Sequence, residues 1–496
     1  MTRRRAIATF TSDEAGAVLV FWALALAVVL GIVALSFDFG RIAATQSELQ
    51  AYADQVALAA AGELDGRSDS ITRATNAAAN LITDSQTFGN GAQALAGGVD
   101  YAIDFYDTLP AASDTASLAA GLTTVPEDAI YARVVMTPKT VAFSFGAAFF
   151  ALTGNTPANN SVGATAVAGF TQYACDITPL MFCLPTPNYK ADANIGDMIL
   201  LRSGGNNAAW GPGDFGFLDP SKAKVDPNGP CGGLTGAQLD ACLLGAQGSI
   251  TQCFAQRGVD TEPGQKVGIE DASFNVRFDI YNAIMNGKKN DPAYAPAPNV
   301  IKGIVPSGGG ACIGGNPQPS PDTLGLPRDT CFGAGTCGSG GRYGDGDWSV
   351  GRTAYVAANY GGTDPHPGAS TRYEYYLAEI AAAGGGASTT AILSGLAETG
   401  RPQCSSYQSI DPDRRVVVAA AVNCDPNAGG TQINGQTNNV PVEEFFRMFL
   451  TEPVGTDGLS PPTLDLWVEV VGSAGGAGSG TGGSGGVFHD VVQLYR

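Results

Sequence analysis

From Ala15 to Phe37 the chain reads AGAVLVFWALALAVVLGIVALSF, with no charged residue. A helix of that length rises roughly 34 Å at 1.5 Å per residue, enough to cross a hydrocarbon core of about 30 Å. The competing reading is a secretory signal peptide, whose apolar core of about 7–15 residues ends at a small-residue cleavage site. Here the run is longer and ends at Leu35-Ser36-Phe37-Asp38, with no A-x-A pattern. We therefore read 15–37 as a retained transmembrane helix. Arg3, Arg4 and Arg5 precede it, whereas only Arg41 follows closely, the next arginine being Arg67. The positive-inside bias puts residues 1–14 in the cytoplasm and 38–496 on the far side of the inner membrane, periplasmic or extracellular.

The helix is not expected to stop at the membrane. Phe39 to Leu64 is free of proline and rich in Ala, Leu, Gln and Glu, all good helix formers. Leu35, Phe39, Ile42, Gln46, Leu49, Ala53, Val56 and Ala60 follow one another by fours and threes, which keeps one narrow, mostly apolar stripe on a helix. Asp65-Gly66 supplies the stop. The spacing predicts one helix of about 50 residues, its second half packing on a soluble domain or a neighbouring helix. Two helices broken near Gly40 are the alternative.

Gly16 ahead of the apolar run, Asp38-x-Gly40-Arg41 just after it, Leu49-Gln50 with Ala53-Asp54, and the alanine block Ala57 to Ala61 form a combined signature. With these elements the stretch 12–66 resembles the N-terminal domain of TadE/TadG-like Flp pilus-assembly proteins. GDMILLRSGG (196–205), WGPGDFGFLDP (210–220), PGQKVG (263–268), GDGDW (344–348) and VQLYR (492–496) look more loosely like segments of the long TadG-related proteins of the tight-adherence (Tad) system. The resemblance implies an inner-membrane-anchored, largely extracytoplasmic component of the machinery that assembles Flp-type IVb pili, with other Tad components as partners. Two departures restrict it. Prepilins of this system are cut after a glycine and usually carry Glu at the fifth mature position, but counting from Gly16 that position is Phe21. No prepilin-peptidase processing is therefore expected. The D-x-S-x-S motif of a von Willebrand A metal site is missing as well, so no such site is transferred.

Beyond the helix the texture changes. Ser70 to Thr83 is expected to form a second helix, and VDYAIDFYD (99–107), AIYARVVM (129–136), VAFSF (141–145) and AVAGFTQYAC (166–175) read as strands. By analogy with pilins, 67–175 is expected to be a pilin-like α+β unit. Residues 176–496 read as a β-rich extracytoplasmic domain, with strands at IGDMILLRS, RRVVVAAAVN and LDLWVEVVG and short helices at GAQLDACLLG and VEEFFRMFL. The glycine tract 472–486 is a flexible loop by composition, read as a long hairpin tip. The fold class is therefore α+β: a long N-terminal helix, a pilin-like unit, and a large β-rich, disulfide-containing region.

All ten cysteines (Cys175, Cys183, Cys231, Cys242, Cys253, Cys312, Cys331, Cys337, Cys404, Cys424) fall on the proposed outer side, an even number with no C-x-x-C spacing. That favours disulfides over zinc. Connectivity is open, with short-range bridges such as Cys175–Cys183 and Cys331–Cys337 preferred. The net charge of −19 repels a phosphate backbone, so nucleic acid is not expected as a partner.

Chemical motifs are sparse. Gly482 to Gly486 spells G-x-S-x-G around Ser484, with His489 nearby, but in a low-complexity tract without the strand-to-helix turn that a nucleophile elbow needs. No phosphate-binding G-x-x-x-x-G-K-[ST] is present, and His366 lies between prolines in a loop-like DPHPG. Asp345 and Asp347, with Asp411 and Asp413, could offer oxygen ligands to calcium, yet the full loop pattern is missing and turn carboxylates are the simpler reading. TRYEYYLAEI (371–380) reads as a packing segment rather than a sugar platform. No catalytic, cofactor or metal residue is assigned. The expectation is a non-enzymatic pilus-assembly accessory protein, with self- or hetero-association through the N-terminal helix left open. A membrane-tethered adhesion or carbohydrate-binding module and an extracytoplasmic hydrolase are the alternatives.

Overall fold

A computed structural model describes residues 15–80, 84–111, 118–147, 160–298, 324–388 and 405–496, apart from 88, 90–92, 97, 176, 204–209, 221–223, 248–251, 256–257, 263–268, 439, 457–462 and 477–487 within them. The fold is α+β, and the chain divides into two compact units: residues 1–171 with 492–496, and residues 172–491.

The first unit is built on a single helix, Ala15–Ala61 (α1), unbroken at Gly40. Nearly every side chain from Val18 to Phe37 is exposed, and burial begins abruptly at Asp38. Leu19 is 73% exposed, whereas Leu49, Ala53, Val56 and Ala60 are at 0%. The fours-and-threes stripe is therefore a packing face only in its second half; Leu35 and Phe39 stay exposed. Beyond α1, Ser70–Asn80 (α2) carries buried Ala74 and Ala78. An antiparallel sheet follows, of Tyr101–Tyr106 (β1), Tyr131–Met136 (β2) and the first part of Thr165–Cys175 (β3), with β2 in the middle. Alternation along the strands sends Ala132, Val134 and Met136 from β2, and Ala166, Ala168 and Phe170 from β3, into one core with the alanine face of α1. Small residues on both surfaces let helix and sheet approach closely. Tyr495 and Arg496 extend this sheet, since the Tyr495 amide donates to the Val167 carbonyl and the Val167 amide to the Arg496 carbonyl, both at 2.8 Å. Gly169 makes room for them, because a Cβ there would stand 2.6 Å from the Tyr131 ring and 2.9 Å from the Tyr495 ring.

In the second unit, Leu180–Cys183 (β4), Met198–Ser203 (β5), Asp214–Phe217 (β6), Val416–Val422 (β7), Glu444–Leu450 (β8) and Leu464–Gly476 (β9) form a ring. The order β8-β7-β4-β6-β5-β9 closes because β8 also pairs with β9. Closure into a barrel leaves no free edge in the ring. Alternate residues fill the interior, among them Phe182, Leu201, Phe215, Ala419, Met448 and Val468. Gly236–Gly245 (α3), Ser349–Tyr360 (α4) and Arg372–Ala382 (α5) are the longer helices of this unit. Tyr375 and Tyr376 of α5 are fully buried, and the Tyr376 ring lies 5.0 Å from Phe449 of β8, so TRYEYYLAEI packs as expected.

One buried charge cluster ties four segments of this unit together. Arg372, at 0% exposure, donates to Asp329, to Glu469 at 2.8 Å and to the Gly196 carbonyl at 3.2 Å. Asp329 Oδ2 in turn accepts from the amides of Met198 (3.2 Å), Asp345 (3.0 Å) and Gly346 (2.9 Å). Gly344 must be glycine here, since a Cβ would sit 1.9 Å from that oxygen. The GDM and GDGDW segments thus meet at one carboxylate.

Four expectations need correction. VEEFFRMFL is a strand rather than a helix: Phe446, Met448 and Leu450 alternate into the barrel, and pairing on both sides outweighs helix propensity. Cys183 bonds Cys424 rather than Cys175, because Cys183 stands opposite Val422 on parallel strands and Cys424 follows two residues on. Cys175 is disulfide-bonded too, Cys231–Cys242 and the expected Cys331–Cys337 are formed, and Cys312 and Cys404 lie outside the described residues. VAFSF forms no strand beyond Val141; Lys139–Val141 pairs with Asn160–Val162, and the chain from Ala142 leaves the ladder. Of the glycine tract, residues 472–476 belong to β9 rather than to a loop and 477–486 lie outside the described residues; among the described residues β9 pairs within the barrel and the following strand, Phe488–Leu494, pairs with β3, so the two form no hairpin ladder.

Candidate functional site

At the point where α1 changes from fully exposed to packed, its side chains grip a distant piece of chain. Asp38 is 2% exposed. Its carboxylate accepts backbone N–H groups from Ser144 (2.9 Å), Phe145 (3.2 Å) and Gly146 (2.6 Å). Gly146 and Ala147 begin a helical turn, so Asp38 caps from outside the orphan donors that every helix start presents. One turn further along α1, Arg41 Nη1 donates to the Ala142 carbonyl at 3.0 Å and to Ser144 Oγ, while Nη2 donates to the Gly89 carbonyl at 2.5 Å. Asp38 and Arg41, three apart, lie on one helix face. Together they hold donors and acceptors of the 142–146 segment. Phe145 then sets its ring edge-on to Phe37, centroids 5.1 Å apart, although both rings remain about half exposed.

Burial tends to raise the Asp38 pKa, but the three amides and the nearby Arg41 charge outweigh it and hold the carboxyl below its ordinary value. Asp38 is therefore a charged clamp at neutral pH. Farther out, Gln50 Nε2 donates to the β3 carbonyl of Thr165 at 3.1 Å and to Asp54 Oδ1 at 2.7 Å, which orients the amide. Leu49 and Ala53 fill the core beside it.

Residues 16–63 match the Tad family model, described as Flp pilus-assembly TadE/G-like. This stretch is a TadE/G-like segment. No curated protein and no solved structure matches the chain. The TadE/G-like segment and α1 end within two residues of each other, so the family resemblance is in structural terms one helix: an apolar half, a clamp, and a packed half. Its sequence signature resolves into jobs. Asp38 and Arg41 hold 142–146, Gln50, oriented by Asp54, holds β3, and the alanines permit close packing. The helix is long and apolar enough to cross a membrane.

The other residues singled out from the sequence are occupied locally. Asp345 Oδ1 accepts the Asp347 amide at 3.2 Å, Asp347 Oδ1 the Ser349 amide at 3.0 Å, and Asp411 Oδ1 the Asp413 amide at 2.9 Å. Asp413 also takes the Tyr373 hydroxyl and Arg447 Nη2, the latter at 2.9 Å. These are turn carboxylates, and the two pairs are not brought together by any hydrogen bond among the described residues. Asp345 does approach Asp329 and Cys331, but that sulfur is in a disulfide and Asp329 is bonded to Arg372. His366 sits in a loop with its ring edge-on to Tyr375, centroids 5.2 Å apart. His489 lies on the strand Phe488–Leu494, and Ser484 falls outside the described residues. The partner of Asp38 could not be read in advance. It lies 106 residues away in a stretch whose apolar alternation suggests a strand.

Proposed function

We propose that this chain is a non-enzymatic, inner-membrane-anchored accessory protein of Flp/Tad pilus assembly, with its N-terminus cytoplasmic and the bulk of the chain outside. The observation that carries the reading is the Asp38–Arg41 clamp within the TadE/G-like segment. A helix that only tethered a domain would need an apolar run and a linker. Here the helix continues rigidly past the apolar run and is bonded to the first unit at its foot and again at Gln50. That construction favours a protein that transmits position along a helix axis, as contact with neighbouring assembly components requires. The exposed apolar half is available to lipid and to helices of other Tad proteins.

The test is pilus production in a deletion strain, scored by shear-released Flp pilin and electron microscopy, with complementation by an epitope-tagged copy. Loss of pili, restored by an uncut protein in the membrane fraction and not by the Asp38→Ala, Arg41→Ala double variant, is the expected result. Normal piliation in the deletion strain would refute the assembly role.

A further inference from the structure

The second unit contains a cavity of about 700 Å³ whose wall includes two arginines, Arg277 and Arg414. Both are nine-tenths buried, at 5% and 6% exposure. Arg414, from the short 3-10 turn before β7, spends its guanidinium on carbonyl oxygens: Ala295 at 2.9 Å, Gly245 at 2.6 Å and Ala246 at 3.5 Å. Carbonyls satisfy its donors and leave its charge in place. Arg277 is more exceptional, for neither Nε nor Nη1 has a hydrogen-bond partner among the described residues. The Phe274 ring lies 5.5 Å from its guanidinium.

Asp411 offsets part of the Arg414 charge, whereas Arg277 has no bonded carboxylate among the described residues; that is a costly arrangement, and arginine does not resolve it by losing its proton. Burial, and after it the charge of Arg414, oppose the Arg277 cation, and no carboxylate is among the groups that offset it. Of the acids on the cavity wall, Asp413 is engaged by Tyr373 and Arg447, and Asp411 caps the Asp413 amide. The rest of the wall is mixed: Ile177, Leu243, Val416 and Val418 form an apolar strip, and Thr178, Gln247, Gln408 and Ser409 add polar groups. Arginine beside an apolar wall is suited to an anionic head on an apolar body.

We propose that this cavity is a binding site for an organic carboxylate with an apolar body, its head on Arg277 and its body along Leu243, Val416 and Val418. A carboxylate fits better than a multiply charged phosphate because Asp411 and Asp413 stand on the same wall. The site is independent of the TadE/G-like segment and of the pilus reading.

Calorimetric titration of the full chain in a neutral detergent tests it, with hexanoate as the probe, 1-hexanol as its uncharged counterpart and inorganic phosphate as the anion without a body. Saturable hexanoate binding, no hexanol binding, and at least tenfold weaker hexanoate binding in Arg277→Met are expected. Arg277→Met should melt no lower than the wild type without ligand, because it removes an uncompensated charge, and Arg277→Lys should stay within tenfold of wild-type affinity. Equal binding of hexanoate and hexanol, unchanged affinity in Arg277→Met, or a lower ligand-free melting temperature in that variant would each overturn the proposal. Tighter binding of phosphate than of hexanoate overturns the carboxylate assignment.

Discussion

Replacing Asp38 with alanine removes one acceptor group from three backbone donors at once. Hydrogen bonds to a charged group contribute about 1.5–3 kcal/mol each when buried. Ser144 and Phe145 are exposed, however, so their amides can turn to water when the carboxylate is gone. The short Gly146 contact at 2.6 Å therefore dominates, and the segment should lose about 2–3 kcal/mol of local stability. At 1.4 kcal/mol per tenfold, amide exchange at 144–146 should quicken by about 30- to 150-fold. Hydrogen-exchange mass spectrometry of the full chain in lipid nanodiscs reads this directly, with the strand Tyr101–Tyr106 as an internal reference that should not change. The acid dependence follows from the lowered pKa. A carboxylate depressed on folding stabilises above its unfolded value, and that contribution is lost as pH falls through the folded one. The wild-type segment should thus loosen only below about pH 3.8, and Asp38→Ala should show no such acid step. Exchange within threefold of wild type at neutral pH would refute the reasoning, as it would show that other contacts hold the segment.

Three further outcomes are expected. Arg372→Met strands Asp329 and Glu469 in a site with no exposure, so urea unfolding followed through Trp348, 5.3 Å from that guanidinium, should show a loss of about 3–5 kcal/mol. A loss under about 1 kcal/mol would mean the cluster is dispensable, and adding Asp329→Asn with Glu469→Gln should recover much of the deficit. Cys183→Ala with Cys424→Ala opens a cross-link that spans 241 residues, which should lower unfolding stability by about 3–5 kcal/mol in non-reducing denaturation; an unchanged midpoint would contradict it. Asp197 is pushed up to about 6, chiefly by burial and then by the charges of Asp329 and Asp345. A raised acid stabilises below its ordinary value and loses that contribution as pH rises to the folded one. Melting temperatures across pH 4 to 6 should accordingly fall less steeply in Asp197→Asn than in the wild type, and parallel curves would count against the assignment.

Much of the architecture was legible residue by residue. The uninterrupted apolar run, the Pro-free continuation and the Asp65-Gly66 stop specify α1, because helix formation depends on neighbours three and four apart. Strand-like stretches marked β1 and β2, and short apolar runs marked β5, β7 and β9, for the same local reason. The clamp was half legible: Asp38 and Arg41 stood out as parts of a signature, with no indication of what they bind. Where local signals were ambiguous, long-range pairing decided. VEEFFRMFL is dense enough in apolar residues to satisfy either period, and it became a strand because β7 and β9 supplied partners on both sides. Cys183 found Cys424 across 241 residues because two strands lie parallel, which separation along the chain cannot convey. The closed barrel, the return of Tyr495 to Gly169, the cap on Gly146 and the unpaired Arg277 all belong to this second class. Periodicity is a property of a few consecutive residues and survives in the sequence alone. Closure, capping at a distance and the compensation of buried charge depend on which surfaces meet, and only the folded chain brings those surfaces together.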